Sequence, residues 1–154
     1  MKRTLTLLAL LSLLSACNSS PKIDMEAELK KQPDIQVSWE GHEQVASVPG
    51  SFCSDVLCLD SGDPDWSAMN FTPYTNGTPL TVHIATTLTI EELSISLKDT
   101  TGHTIQNNLP KTDEGNNTYI VTDSFKHTGD LIFSVKVSFV EGGYGQTYFP
   151  LAVQ

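Results

Sequence analysis

A chain of 154 residues, 39% hydrophobic, 18% charged and 8% aromatic, has the length of one domain with short extensions and enough apolar side chain for a core. Its 9 basic residues against 18 acidic ones leave a formal net charge of −9. That balance argues against nucleic-acid binding, which needs clustered cations on phosphates, and against electrostatic docking onto anionic lipid.

Lys2 and Arg3 begin the chain, and residues 5–14 form an apolar run broken by Thr6 and Ser12. A run of about ten residues is half of the roughly 20 that span a bilayer core, so residues 1–16 read as a secretory signal rather than a membrane helix. The run ends in Leu14-Ser15-Ala16-Cys17. This resembles the lipobox of bacterial lipoproteins: a leucine, two small residues and a cysteine. The resemblance implies that the Cys17 thiolate accepts a diacylglyceryl group and that cleavage before Cys17 leaves a mature protein held by acyl chains. Asn18 follows, not the aspartate that resembles an inner-membrane retention signal. The expected location is therefore the extracytoplasmic face of a Gram-positive cell membrane, or the outer membrane of a Gram-negative cell. Cleavage removes Lys2 and Arg3 from the 9 basic residues, leaving 7 against 18 acids and a net charge of −11 on the mature chain.

Residues 17–33 form the lipidated cysteine and a polar spacer with two prolines. A flexible tether of this length reaches on the order of 20–25 Å. Residues 24–31 carry acids early and lysines late, the order a helix dipole prefers, but two isolated turns are marginal in water.

From Asp34 the pattern changes to strand alternation. Ile35, Val37 and Trp39 alternate with polar residues until Gly41, and residues 45–48 suggest a second short strand. Leu80, Val82 and Ile84 form one face, as do Leu93, Ile95 and Leu97; Tyr119 and Val121 flank Ile120. In residues 131–140, Leu131, Phe133, Val135, Val137 and Phe139 share one face while Ser134, Lys136 and Ser138 share the other. After the turn at Glu141-Gly142-Gly143-Tyr144, residues 147–153 return as the last strand, where Pro150 lacks an amide donor and predicts an edge or bulged strand. Seven to nine short antiparallel strands over residues 34–154 predict an all-β sandwich. The closing hairpin, residues 129–153, looks like that of immunoglobulin-like domains in secreted bacterial proteins, which implies an immunoglobulin-like fold.

With Cys17 assigned to lipid, Cys53 and Cys58 remain. In an exported protein a structural disulfide closing a small hairpin loop is the expected state, with free thiols the alternative; a redox role would prefer C-x-x-C beside a helix N-terminus and zinc would need two more ligands, and the sequence offers neither. So small a ring restrains the unfolded chain by roughly 2 kcal/mol. Residues 50–60, with Gly50-Ser51-Phe52-Cys53 and Cys58-Leu59-Asp60, resemble a segment of small uncharacterised Firmicute lipoproteins, and that resemblance implies no known reaction.

Asp60, Asp63 and Asp65 form the densest acidic loop. Three carboxylates offer oxygen ligands to a cation, but the spacing of a 12-residue calcium loop is missing, so a solvated loop is the expected reading and no metal is assigned. Trp66, Phe71 and Tyr74 follow closely. Aromatics among polar residues suit a binding patch for sugar or protein; the competing reading is that they cap the core. His42, His83, His103 and His127 are scattered without a ligand pattern, no G-x-S-x-G occurs, and Glu91 and Glu92 occupy adjacent strand positions that point to opposite faces. No catalytic residue and no cofactor is expected. The function expected from sequence is a lipid-anchored binding or interaction module of the bacterial envelope, holding a protein, peptide or glycan through loops in residues 52–74. The alternatives are a cation-binding accessory lipoprotein on the acidic loop and, further off, an envelope hydrolase with an unrecognised carboxylate set.

Overall fold

Alternation gives each strand one apolar and one polar face, and the apolar faces of two sheets bury each other. The computed structural model describes residue 27, residues 29–62 and residues 64–154. The signal segment 1–16, Cys17, the spacer as far as residue 26, Glu28 and Asp63 lie outside the described residues. Eleven strands form among the described residues: β1 (Asp34–Ser38), β2 (Val48–Cys53), β3 (Cys58–Leu59), β4 (Thr72–Tyr74), β5 (Leu80–Ala85), β6 (Ile90–Lys98), β7 (Thr104–Gln106), β8 (Thr112–Gly115), β9 (Thr118–Val121), β10 (Gly129–Phe139) and β11 (Tyr144–Val153). Among the described residues no helix is long and apolar enough to cross a membrane.

One sheet has the order β1-β5-β9-β8; the other runs β3-β2-β11-β10-β6-β7, with β4 also on β11. Set β2, β3, β4 and β7 aside, and the remaining seven strands divide as first, second, fifth and fourth against seventh, sixth and third. That is the immunoglobulin-like arrangement, and the chain is an all-β sandwich. The surplus over seven to nine strands comes mainly from β2, β3 and β4, which are inserted between the first and second strands of that pattern.

The main core is the alternation made physical. Val37, Val82 and Ile84 from one sheet, and Leu97, Phe133, Val135, Val137 and Phe149 from the other, are fully buried in one cluster. Across β10 and β11, Phe133 stands opposite Phe149 and Leu131 opposite Leu151.

Three features depart from the sequence expectation. First, residues 45–47 are not strand; Val45 is buried in a loop, its amide donating to the Val37 carbonyl. Secondly, of the two alternatives for the strand holding Pro150, the edge one fails: β11 is interior, with β10 on one side and β2 and β4 on the other, though it is irregular in register against β2 between Gly145 and Thr147. Pro150 is tolerated because β2 pairs β11 only as far as Tyr148 and β4 begins at Leu151, so the missing amide falls where the outer neighbour changes. Thirdly, one pairing is parallel: Thr72, Pro73 and Tyr74 lie against Leu151, Ala152 and Val153. The cause is the path of the chain. The chain leaves β3, which lies outside β2 near the start of β11, and returns as β4 at the far end of β11, running in its direction.

The spacer also ends docked. Leu29 packs against the main core, Gln32 Nε2 donates to the carbonyls of Gly50 (3.3 Å) and Gln146 (3.2 Å), and Pro33 lies so close to Gly145 that a Cβ there would sit 2.5 Å from Pro33 Cγ.

Candidate functional site

The aromatic residues singled out in the sequence are packed rather than displayed. Trp66 opens a one-turn 3-10 helix, Trp66–Ala68, capped by the Asp65 carboxylate. It is 4% exposed and meets Tyr148 edge-on at 4.9 Å, and with Ile132 and Tyr148 it makes a second small core. That core sits on the outer face of the larger sheet, with Val48, Met69 and Phe71 packed around it. The Lys98 ammonium lies 5.2 Å from the Tyr148 ring centroid. Tyr74 belongs to the main core instead: it is 2% exposed, edge-on to Trp39 at 5.4 Å, and its hydroxyl donates to the Thr78 carbonyl. Burial raises its pKa. Neither Trp66 nor Tyr74 presents a ring face to a partner, and Phe52, 1% exposed, does not either.

The acidic loop is likewise engaged with itself. Asp60 accepts from the Gly62 amide (3.1 Å) and the Ser51 hydroxyl (2.9 Å), which lower its pKa, the amide contributing most. Asp65 accepts from the amide and hydroxyl of Ser67. Among the described residues no three His, Cys, Asp or Glu side chains gather as a metal site. The histidines stay apart: His42 stacks on Trp39 at 4.8 Å, His83 Nδ1 pairs with Thr118 Oγ1 at 3.1 Å, and His103 Nδ1 is 3.9 Å from Asp99.

The candidate site lies elsewhere on the outer face, beyond the part that residues 60–71 cover. A groove of about 450 Å³ is lined by Glu92 and Ser94 from β6, Lys136 and Ser138 from β10, and Gly143 and Tyr144 at the start of β11. Register explains the grouping. Ser94 stands opposite Lys136, Glu92 opposite Ser138, and Ser138 opposite Tyr144, so outward side chains of three adjacent strands share one surface. The Lys136 ammonium sits 4.6 Å from the Tyr144 ring centroid. Among the described residues the Glu92 carboxylate, the Ser138 hydroxyl and the Tyr144 hydroxyl have no hydrogen-bond or ion-pair partner, and Ser94 Oγ reaches only Asn108 Oδ1 at 3.4 Å. An anion, a cation, hydroxyls and an aromatic edge thus converge without being consumed by the fold. Such convergence is what orients a bound polar ligand or peptide.

Two tight turns build the end of this groove. The β10–β11 turn passes through Gly142 and Gly143, both at positive φ (95° and 90°), a region open to glycine. The β2–β3 hairpin packs against it: a Cβ on Gly143 would meet the Cys53 carbonyl oxygen, and one on Gly142 would lie 3.1 Å from the Asp55 carboxylate. A disulfide joins Cys53 and Cys58 across that hairpin.

Glu141 ties the same turn to the β5–β6 loop. Its carboxylate accepts from the Thr89 amide (2.9 Å) and the Thr89 hydroxyl (2.7 Å), and these bonds hold its pKa below the ordinary value of 4.5. Asp99 is lowered in the same way, mainly by Thr101, and Asp60 by Gly62 and Ser51. A carboxylate with a depressed folded pKa stabilises the fold above its unfolded pKa and loses that contribution as pH falls through the folded value. Thermal stability is therefore expected to decline as pH drops below the ordinary carboxylate values of 3.8 and 4.5. Glu141→Gln should flatten part of that decline in melting curves taken across the window. An unchanged acid limb would show that the Glu141–Thr89 clasp does not couple to folding.

No protein-family model, no curated protein and no solved structure matches this chain. The groove residues escaped the sequence reading because they are far apart in the chain and polar on a face that needs to be polar. The signal present was their alternation alone: Ser134, Lys136 and Ser138 on one strand, Ser94 and Ser96 on its neighbour.

Proposed function

We propose that this chain is a lipid-anchored binding module on the extracytoplasmic face of a bacterial cell envelope. The observation that carries the binding reading is the groove in which Glu92, Ser138 and Tyr144 keep unpartnered polar groups beside Lys136. The Leu14-Ser15-Ala16-Cys17 sequence supports the anchor, and the spacer after it carries the domain clear of the bilayer surface. The expected partner is an envelope protein, peptide or glycan. The surface that meets it differs from the loops expected in residues 52–74, since Phe52, Trp66 and Tyr74 are buried.

The test is in-cell crosslinking and affinity purification of the full chain. Wild type is expected to capture a stoichiometric partner. Glu92→Ala combined with Lys136→Ala is expected to cut capture by about tenfold, the scale of a 1.4 kcal/mol contact, without changing Tm. Cys17→Ser should move the protein out of the membrane fraction. Capture indifferent to the groove variant would place binding elsewhere, and a Cys17→Ser protein still in the membrane fraction would remove the lipid anchor.

A further inference from the structure

The two cysteines of the β2–β3 hairpin are open to solvent to different degrees. Cys58 is exposed and Cys53 partly so, in a hairpin at the outer edge of the larger sheet. β3 is two residues long and is held by two register positions, Phe52 opposite Leu59 and Cys53 opposite Cys58. The loop between the cysteines has a scaffold of its own. Ser54 N donates to the Leu57 carbonyl at 2.7 Å, and Ser54 Oγ accepts from the amides of Val56 (3.3 Å) and Leu57 (3.2 Å). One further tie, Ser51 Oγ to Asp60 at 2.9 Å, closes the open end of the hairpin. Apolar cost is already exposed there: Val56 is 46% and Leu59 51% accessible, two of the three large exposed hydrophobic residues described. Neither buried core includes a residue of β3.

A disulfide placed this way can open without unfolding the sandwich. We propose that Cys53–Cys58 is a thiol–disulfide exchange site, reducible in the native state by an external dithiol, and that reduction releases β3 and uncovers the outer edge of β2. The thiolate of the dithiol attacks Sγ of Cys58, the more accessible partner. The S–S bond breaks and its electron pair leaves on Sγ of Cys53, which takes up a proton. The second thiolate of the dithiol then attacks its own sulfur in the mixed disulfide and releases Cys58, which is protonated in turn. Two electrons and two protons pass to the protein, and the dithiol leaves as a disulfide. The freed edge offers unpaired amides and carbonyls beside Leu59 and Val56, the features on which an added strand from a partner pairs. The site adjoins the groove, because Cys53 stands opposite Tyr144 in the ladder. It does not depend on the anchor or on groove binding.

The experiment treats the full chain with dithiothreitol under native conditions, alkylates it, and maps the label peptide by peptide so that Cys17 is read separately. Hydrogen exchange is followed on the same samples. Both Cys53 and Cys58 are expected to label only after dithiol treatment. Amides of residues 51–60 should then exchange at least about tenfold faster, while those of β10 and the rest of β11 stay within about twofold. A Cys53→Ser, Cys58→Ser double variant should reproduce the reduced exchange pattern. Three results would overturn the proposal: labelling that requires denaturant, labelling without any dithiol, or accelerated exchange that spreads through β10 and β11.

Discussion

Trp66→Ala is expected to destabilise the fold by about 3–5 kcal/mol, the range for deleting a buried large aromatic side chain. For a domain of this size that corresponds to a fall in Tm of roughly 10–20 °C. The indole is 4% exposed and is the centre of the small core on the outer face, against Tyr148 and Ile132. Its loss leaves those two side chains facing water and unpins residues 60–71 from the sheet they cross. The companion variant separates packing from polarity. Trp66 Nε1 is buried without a hydrogen-bond partner among the described residues. An unsatisfied buried donor costs about 1–3 kcal/mol, so Trp66→Phe gives up ring area but also removes that penalty. Chemical denaturation should find Trp66→Phe within about 1 kcal/mol of wild type. Two equally destabilised variants would mean that the indole nitrogen is satisfied by water. Two near-neutral variants would mean that residues 60–71 do not depend on this core.

The consequence reaches the functional question. In the sequence, Trp66, Phe71 and Tyr74 in a polar stretch have the look of a binding loop, and alanine there would be the natural binding test. In the structure the same substitutions are stability tests, because Trp66 and Tyr74 are buried in two different cores. The groove residues are the ones whose removal tests binding, since Glu92 and Lys136 are exposed on strands that the main core already fixes.

The sandwich itself was legible because the apolar residues of its core face recur with a period of two: Leu80, Val82, Ile84 on β5, Leu93, Ile95, Leu97 on β6, and Leu131, Phe133, Val135, Val137, Phe139 on β10, all buried. The cover over the outer face was less so, although one residue announced it. Ile132 breaks the polar face of Ser134, Lys136 and Ser138, and it is fully buried in the cluster that Trp66 and Tyr148 make with it, Met69 and Phe71 packing around them. Strand β4 had no such mark. Three residues paired in parallel to β11 carry no alternation to read, and their position is set by where the covering segment ends. The groove was illegible for a different reason. It exists through register between β6, β10 and β11, and register is a property of pairs of strands that neither sequence alone contains.

Gly143→Ala is the second large effect expected, and its size follows from two separable terms. At φ +90° an L side chain is strained, which costs about 1–2 kcal/mol. Gly129 shares that conformation, at φ +98°, but a Cβ there meets nothing within 4 Å. Gly129→Ala therefore measures the backbone term alone, about 1–2 kcal/mol. At Gly143 the added carbon would also be driven into the Cys53 carbonyl oxygen and lie 2.7 Å from Ser54 Cα, both backbone atoms that cannot rotate aside. Displacing a packed element adds about 1–3 kcal/mol, so Gly143→Ala should cost about 2–5 kcal/mol in urea denaturation. The clash is with the end of β2, which the β2–β11 ladder holds beside the turn, Cys53 standing opposite Tyr144, and which the Cys53–Cys58 bond joins to β3. Where the link to β3 stiffens Ser54 and the end of β2, a background of Cys53→Ser and Cys58→Ser should shrink the penalty at Gly143 toward that at Gly129. The two perturbations are thus expected to be non-additive, as contacting sites are. A Gly143→Ala penalty unchanged by loss of the disulfide would mean that the hairpin is held by its Ser54 hydrogen bonds and by packing, and that the disulfide is not its latch.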